Sequence, residues 1–290
     1  MKAARVTLHK GLFVFCLILL IFFSVESWGY QWQELSGEHF IIYFLENKNF
    51  AKEVLDRAEV YYRNIALELG YPRYSEFWTW ENRVKVYIYP DRNSFQKATA
   101  QPTWSEGMAS YTDKQIISYA WSKGFTESLL PHEMAHLIFR DFVRFKGEIP
   151  LWLDEGVAQW MEMSKRPQIK KVAKKYFQEN ALLCIEDMMR LDIRNLKYEQ
   201  AIYIRPTRTK DGKDAILFLS AQLLINTYYI QSVSLVGFLI EKYGSTAFAD
   251  FCRELRDGKN VEEALRSTYP AHIRNLQEFE DRWREYVESE

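Results

Sequence analysis

The sequence predicts an α+β fold with its strands in the first half. Three observations carry this: two short strand-like runs flank an amphipathic helix before residue 90, an alternating stretch follows at 107–119, and helical periodicity dominates after Ser128. The 290 residues are 48% hydrophobic and 27% charged, enough for one sizeable folded body and too apolar for a disordered tail.

His39 to Leu45 reads as a strand, and Phe50 to Leu69 reads as a helix, with apolar or aromatic side chains at 51, 55, 58, 62, 65, 66 and 69 and Gly70 closing it. Val84 to Tyr89 is a second strand stopped by Pro90, and Asp91 is placed to cap a short helix beginning near Asn93. Gly107 to Tyr119 alternates about a turn at Thr112 and Asp113, which predicts one or two strands. From Ser128 the pattern is helical almost without interruption. The expected division is an α/β part over about 30–127 and a helical part over about 128–290, forming one domain around a shared cleft.

Two polar stretches break the helical half. Ser164 to Lys175 is rich in lysine and reads as a solvated helix face, and Arg205 to Lys213 reads as a loop from its Pro, Gly and charge content. Leu276, Phe279, Trp283 and Tyr286 form one stripe of a terminal helix packed on the body.

Residues 1–29 have the parts of a secretion signal: Lys2, Arg5 and Lys10 without an acid, then twelve apolar residues from Leu12 to Phe23, then Ser27 and Gly29 as a small-x-small pair. An uncleaved membrane anchor is the competing reading, although a spanning helix needs about twenty apolar residues. Both readings place the remainder outside the cytoplasm, touching a membrane only through this segment. Its removal leaves 35 basic and 38 acidic residues, a charge of -3, which gives no field to attract nucleic acid. Cys184 and Cys252 are then the remaining thiols, and either a bridge between them or two buried free cysteines fits the sequence.

The chemistry lies in His132-Glu133-Met134-Ala135-His136. Two histidines four apart on a helix project from one face, about one turn apart, so that both rings can reach one metal ion. Ser128 is suited to cap this helix, and Pro131 falls in its first turn, where a missing amide hydrogen costs nothing. Beyond eighteen intervening residues after His136, Glu155 lies in Pro150-Leu-Trp-Leu-Asp-Glu-Gly-Val-Ala-Gln-Trp160, a second helix whose buried side is Leu153, Val157 and Trp160. A His, His, Glu set leaves the fourth tetrahedral position of zinc to water, the open arrangement of a catalytic site. Asp154 and Gln159 fit equally as groups that orient a ligand histidine and as solvated or helix-capping residues, and Trp152 and Trp160 read as core.

These residues resemble the gluzincin clan of metallopeptidases, closest to the M1-type aminopeptidases and the small bacterial peptidase-MA-like domains. The resemblance spans most of 38–288 and is strongest over 131–160. It implies a thermolysin-like catalytic domain with a small mixed sheet packed on a mostly helical half. It also implies one zinc per chain on His132, His136 and Glu155, Glu133 as the base that activates the zinc-bound water, and a peptide or protein substrate. Tyr229 to Gly244 is similar to the family helix that opens with YxKG, which gives Tyr229 the oxyanion role; Gln231 and Ser232 stand where the motif has Lys and Gly, and Tyr228 and Tyr203 are the other phenols within reach of the role. Glu106-Gly-Met-Ala-Ser110 resembles the substrate-binding edge strand written GxMEN, so that Gly107, Met108 and Ala109 line an extended peptide. Ala109 replaces the glutamate that holds a free amine, which favours an endopeptidase over an aminopeptidase. A non-catalytic binding module that keeps the fold is the reading from another class.

Overall fold

A computed structural model describes residues 31–71, 78–101, 105–121, 124–144, 149–196, 202–208 and 213–289. The proposed signal or anchor at 1–29, with Cys16, lies outside them. Residues 32–290 form one compact unit.

Five strands build a mixed sheet: β1 (Gln33–Ser36), β2 (Phe40–Phe44), β3 (Val84–Tyr89), β4 (Gly107–Ser110) and β5 (Gln115–Tyr119), in the spatial order β1-β2-β3-β5-β4. The three central strands run parallel, with Ile42 opposite Val86 and Val86 opposite Ile116, while β1 and β4 pair antiparallel at the two ends. The strict period of two in FIIYF and VKVYIY buries Phe40, Ile42, Phe44, Val84, Val86 and Ile88 on one face. That face joins a common core with α1 (Lys48–Glu68), whose Ala51, Val54, Ala58, Tyr62 and Ile65 form the helical stripe. Gly70, at φ +75°, ends α1 in a conformation that other residues enter at a cost. Helix α2 (Arg92–Thr99) starts where Asp91 accepts the amide of Ser94 at 2.8 Å.

The helical half comprises α3 (Leu130–Val143), α4 (Leu151–Trp160), α5 (Arg166–Gln178), α6 (Ile185–Arg190), α7 (Ala221–Tyr243), α8 (Ser245–Arg256), α9 (Val261–Thr268) and α10 (Leu276–Ser289). Its axis is α7, long and apolar enough to cross a membrane but mostly buried inside the fold as a core helix. Helix α4 lies directly on it: a Cβ placed on Gly156 would come within 2.5 Å of the Ser232 carbonyl oxygen, and one on Gly237 within 2.5 Å of the Trp160 ring. Phe279 and Trp283 of α10 are fully buried, and the Trp283 indole donates to the Ser234 hydroxyl at 3.0 Å.

Three expectations need correction. Helix α3 is not capped by Ser128, because a single π-helical turn over Phe125–Leu129 runs into it from upstream and removes the free helix end. The Arg205–Lys213 stretch is not a plain loop: β6 (Ile202–Arg208) and β7 (Asp214–Ser220) pair as an antiparallel hairpin, with residues 209–212 outside the described set. Pro206 is tolerated because a two-stranded ribbon consists of edge strands. Helix α7 begins at Ala221, where the Ser220 hydroxyl accepts the Leu223 amide, so Tyr229 sits within the helix and not at its start. Of the two readings left open for the cysteines, the structure has free thiols, Cys252 buried and Cys184 partly so.

The seat of α4 on α7 gives a direct test. Gly156→Ala drives a methyl group into backbone, which typically costs about 1–3 kcal/mol, and should lower the thermal midpoint by several degrees in a melting scan. An unchanged midpoint would mean that the two helices do not approach this closely.

Candidate metal centre

The local sequence dictates how the site is assembled. In α3 the period of 3.6 puts His132, His136 and Arg140 on one face, while Met134, Ala135, Leu137, Ile138 and Phe139 fill the core on the others. Pro150 caps α4 by position, and burial of Trp152, Leu153, Val157 and Trp160 turns Glu155 towards α3. One ligand atom from each of His132, His136 and Glu155 lies within 4.8 Å of the others, and the Nε2 of His132 is 4.0 Å from a Glu155 oxygen. The rings of His132 and His136 stand edge to face, 4.9 Å between centroids.

Each imidazole is held from behind. The Nδ1 of His136 bonds Asp154 at 3.0 Å, and the Nδ1 of His132 bonds Glu162 at 3.0 Å, which leaves both Nε2 atoms facing inward. Arg140 donates to the other oxygen of Asp154 at 2.6 Å. Glu162 also receives the hydroxyl of Ser128 and the ammonium of Lys165. The expectation for Asp154 thus has a geometric counterpart. Glu162 has none in the sequence reading, since it lies just past the end of α4, where the chain turns back.

The electrostatics favour a cation between these groups. Burial alone raises the Glu162 carboxyl, but its bonds to His132, Lys165 and Ser128 outweigh that and hold it at about 2, ionised. Burial lowers the His136 imidazole, and the bond and charge of Asp154 overcome this to raise it to about 9. Burial raises the Glu155 carboxyl, the two histidines pull it back, and Asp154 and Glu133 push it up again; the balance is upward. Two inward imidazole nitrogens and one carboxylate short of positive charge fit a borderline divalent ion such as zinc, with one position left open.

A cavity of about 290 Å³ opens beside this set, and Glu133, His136, Glu155 and Ala109 all line it. Ala109 belongs to β4, the terminal strand of the sheet, whose Gly107 lies so close to Leu129 that a Cβ would meet its side chain at 2.8 Å. The Met108 sulfur is 3.5 Å from the Gln101 amide nitrogen. Asp141 of α3 ties the β4–β5 turn down, accepting from Lys114 at 3.1 Å, from the Tyr111 hydroxyl, and from the Trp78 indole at 2.7 Å. Glu106 is engaged by Arg92 and the Tyr119 hydroxyl, away from the role of holding a substrate amine.

The phenols separate clearly. Tyr203 is bonded to Asp187. Tyr228 is buried on α7, and after burial itself the charge of Glu155 is the largest influence raising its hydroxyl pKa. Tyr229 packs edge to face against Tyr228, and neither of the two lines the cavity, whereas Tyr111 does. Gln231 and Ser232, where the sequence departs from YxKG, have local duties: the Gln231 amide bonds both the N–H and the carbonyl of Leu183, and the Ser232 hydroxyl donates to the Tyr228 carbonyl.

His136 must give up a proton before its Nε2 can bind metal. Zinc affinity should therefore climb with pH up to about 9. Asp154→Asn should end that climb nearer the ordinary histidine value, and Glu162→Gln should weaken zinc about 10- to 100-fold. Competition with a chromophoric chelator across this pH range measures both, and wild-type affinity in both variants would contradict the orienting roles.

Residues 79–204 match the family model of the Peptidase MA superfamily, and no curated protein shows a significant match to the chain. The matched segment contains β4, α3 and α4 with all three ligand candidates. The match and the mixed α+β architecture support a gluzincin-type, peptidase-MA-like domain.

Proposed function

We propose that the protein is a zinc-dependent endopeptidase. The observation that carries this reading is the convergence of His132, His136 and Glu155 on one point beside a cavity that Glu133 also lines. Zinc bound there supplies a Lewis acid that lowers the pKa of its water towards about 7 and polarises the scissile carbonyl.

The remaining work belongs to the chain. Glu133 neighbours the first ligand in sequence and faces the cavity, so its carboxylate takes the water's proton and passes it to the leaving amine. Asp154 and Glu162 keep the imidazoles aimed, and a fixed frame costs no reorganisation during reaction. Among the described residues β4 ends the sheet, which offers an extended peptide a strand to pair with, and main-chain pairing of this kind is indifferent to where the peptide ends. With Ala109 at the rim and Glu106 committed elsewhere, no carboxylate of β4 is placed to capture a terminal amine. By the resemblance to the YxKG helix the oxyanion role stays with Tyr229, whose ring packs edge to face on the buried Tyr228.

Glu133→Gln should retain one zinc and lose turnover on unstructured polypeptide, a loss that chelator reproduces in the parent. Tyr229→Phe should cut kcat about 100-fold or more, and a rate near the parent's would remove Tyr229 from the oxyanion role. Blocking the peptide's amine by acetylation should leave the rate unchanged; strict dependence on a free amine would make the enzyme an aminopeptidase. Intact protein with bound zinc and no chelator-sensitive cleavage of any peptide would replace the hydrolase by a binding module.

A further inference from the structure

Two arginines from separate elements line the cavity beside the metal set. Arg140 lies one turn beyond His136 on the same face of α3, about 6 Å farther along the helix axis. Its side chain is 41% exposed and gives one N–H to Asp154, whereas a guanidinium carries five. Arg194 reaches the cavity from the short 3₁₀ turn Ile193–Asn195. Asp192 anchors that turn, accepting the Arg194 amide at 3.1 Å and its Nε and Nη2 at 2.9 and 3.2 Å. Each arginine is thus held in place by a carboxylate of its own, and neither is a candidate metal ligand.

We propose that this cavity is a carboxylate-recognition subsite, in which Arg140 and Arg194 select peptides bearing an acidic group within one or two residues of the scissile bond. The proposal rests on the hydrolase reading. The reach follows from geometry: an extended peptide advances about 3.3 Å per residue, so one helical turn from the metal corresponds to about two residues. Planar forked donors on two walls suit a planar carboxylate. A peptide paired with β4 sends alternate side chains to the same side, and Ala109 at the rim is small enough to let one pass into the cavity. The acid is either an Asp or Glu side chain or the peptide's own C-terminus.

The test uses quenched peptides in which Glu replaces Gln at each position in turn, with the C-terminus free or amidated. The parent should prefer Glu over Gln in kcat/KM by about tenfold or more at one position within two residues of the cut. A preference kept in amidated peptides assigns a side chain; one present only with a free C-terminus assigns the terminus. In Arg194→Gln the Glu to Gln ratio should fall to about one, and Arg194→Lys should restore part of it, with melting curves of both variants confirming the fold. Anisotropy with Glu133→Gln reads binding without turnover, and its preference for acid should survive chelation of zinc. A ratio of one at every position in peptides that are cut overturns the subsite. A preference that vanishes on chelation also overturns it, since the acid then sits on the metal. Selective binding without cleavage of any peptide keeps the subsite and removes the hydrolase.

Discussion

The site depends on two hydrogen bonds that never touch a substrate. Glu162 holds the Nδ1 of His132 and Asp154 holds that of His136, and between them they decide which nitrogen of each ring faces inward. Without these bonds a pair of histidines on a helix could rotate, change tautomer or pair with solvent. With them, the helix presents two fixed donors of lone pairs to the carboxylate of Glu155. Asp154 serves twice, since its second oxygen binds Arg140. The network therefore joins the ligand set to the cavity wall where substrate is expected.

Packing transmits this order to the rest of the fold. Gly156 follows Glu155 directly, and its missing side chain lets α4 press onto the backbone of α7, which fixes the height of the carboxylate over α3. Asp141, at the far end of α3, binds the β4–β5 turn through Lys114 and Tyr111, which ties the edge strand to the helix that carries both histidines. The departures from the YxKG motif fall under the same logic. Gln231 satisfies both backbone groups of Leu183 inside the core, a structural demand that a lysine could not meet, because an ammonium donates and never accepts.

Much of this was legible in the sequence where a simple period governs. Strands β2 and β3 alternate cleanly, α1 and α10 show a stripe, and His132, His136 and Glu155 follow from helical spacing plus one connecting segment. Glu162 was hidden because it lies beyond the last turn of α4, where no periodicity predicts the direction of a side chain. Tyr228 and Tyr229 are adjacent on a helix, about 100° apart, and no period in the sequence told that Tyr228 is the buried one. The β6–β7 hairpin was masked by Pro206 and by charges at its turn. Arg140 carried a readable signal, the continuation of the 132, 136 series by four, but Arg194 enters from a 3₁₀ turn that no pattern announces.

The central claim is that two imidazoles and one carboxylate close on a single ion and leave one position open. X-ray absorption at the zinc edge of the purified protein tests it most directly. The account predicts one zinc per chain with two imidazole nitrogens at about 2.0–2.1 Å, oxygen scatterers at similar distance, and a change in that shell when Glu155 is replaced by Ala. Zinc surrounded by oxygen alone, or a shell indifferent to loss of Glu155, would contradict it.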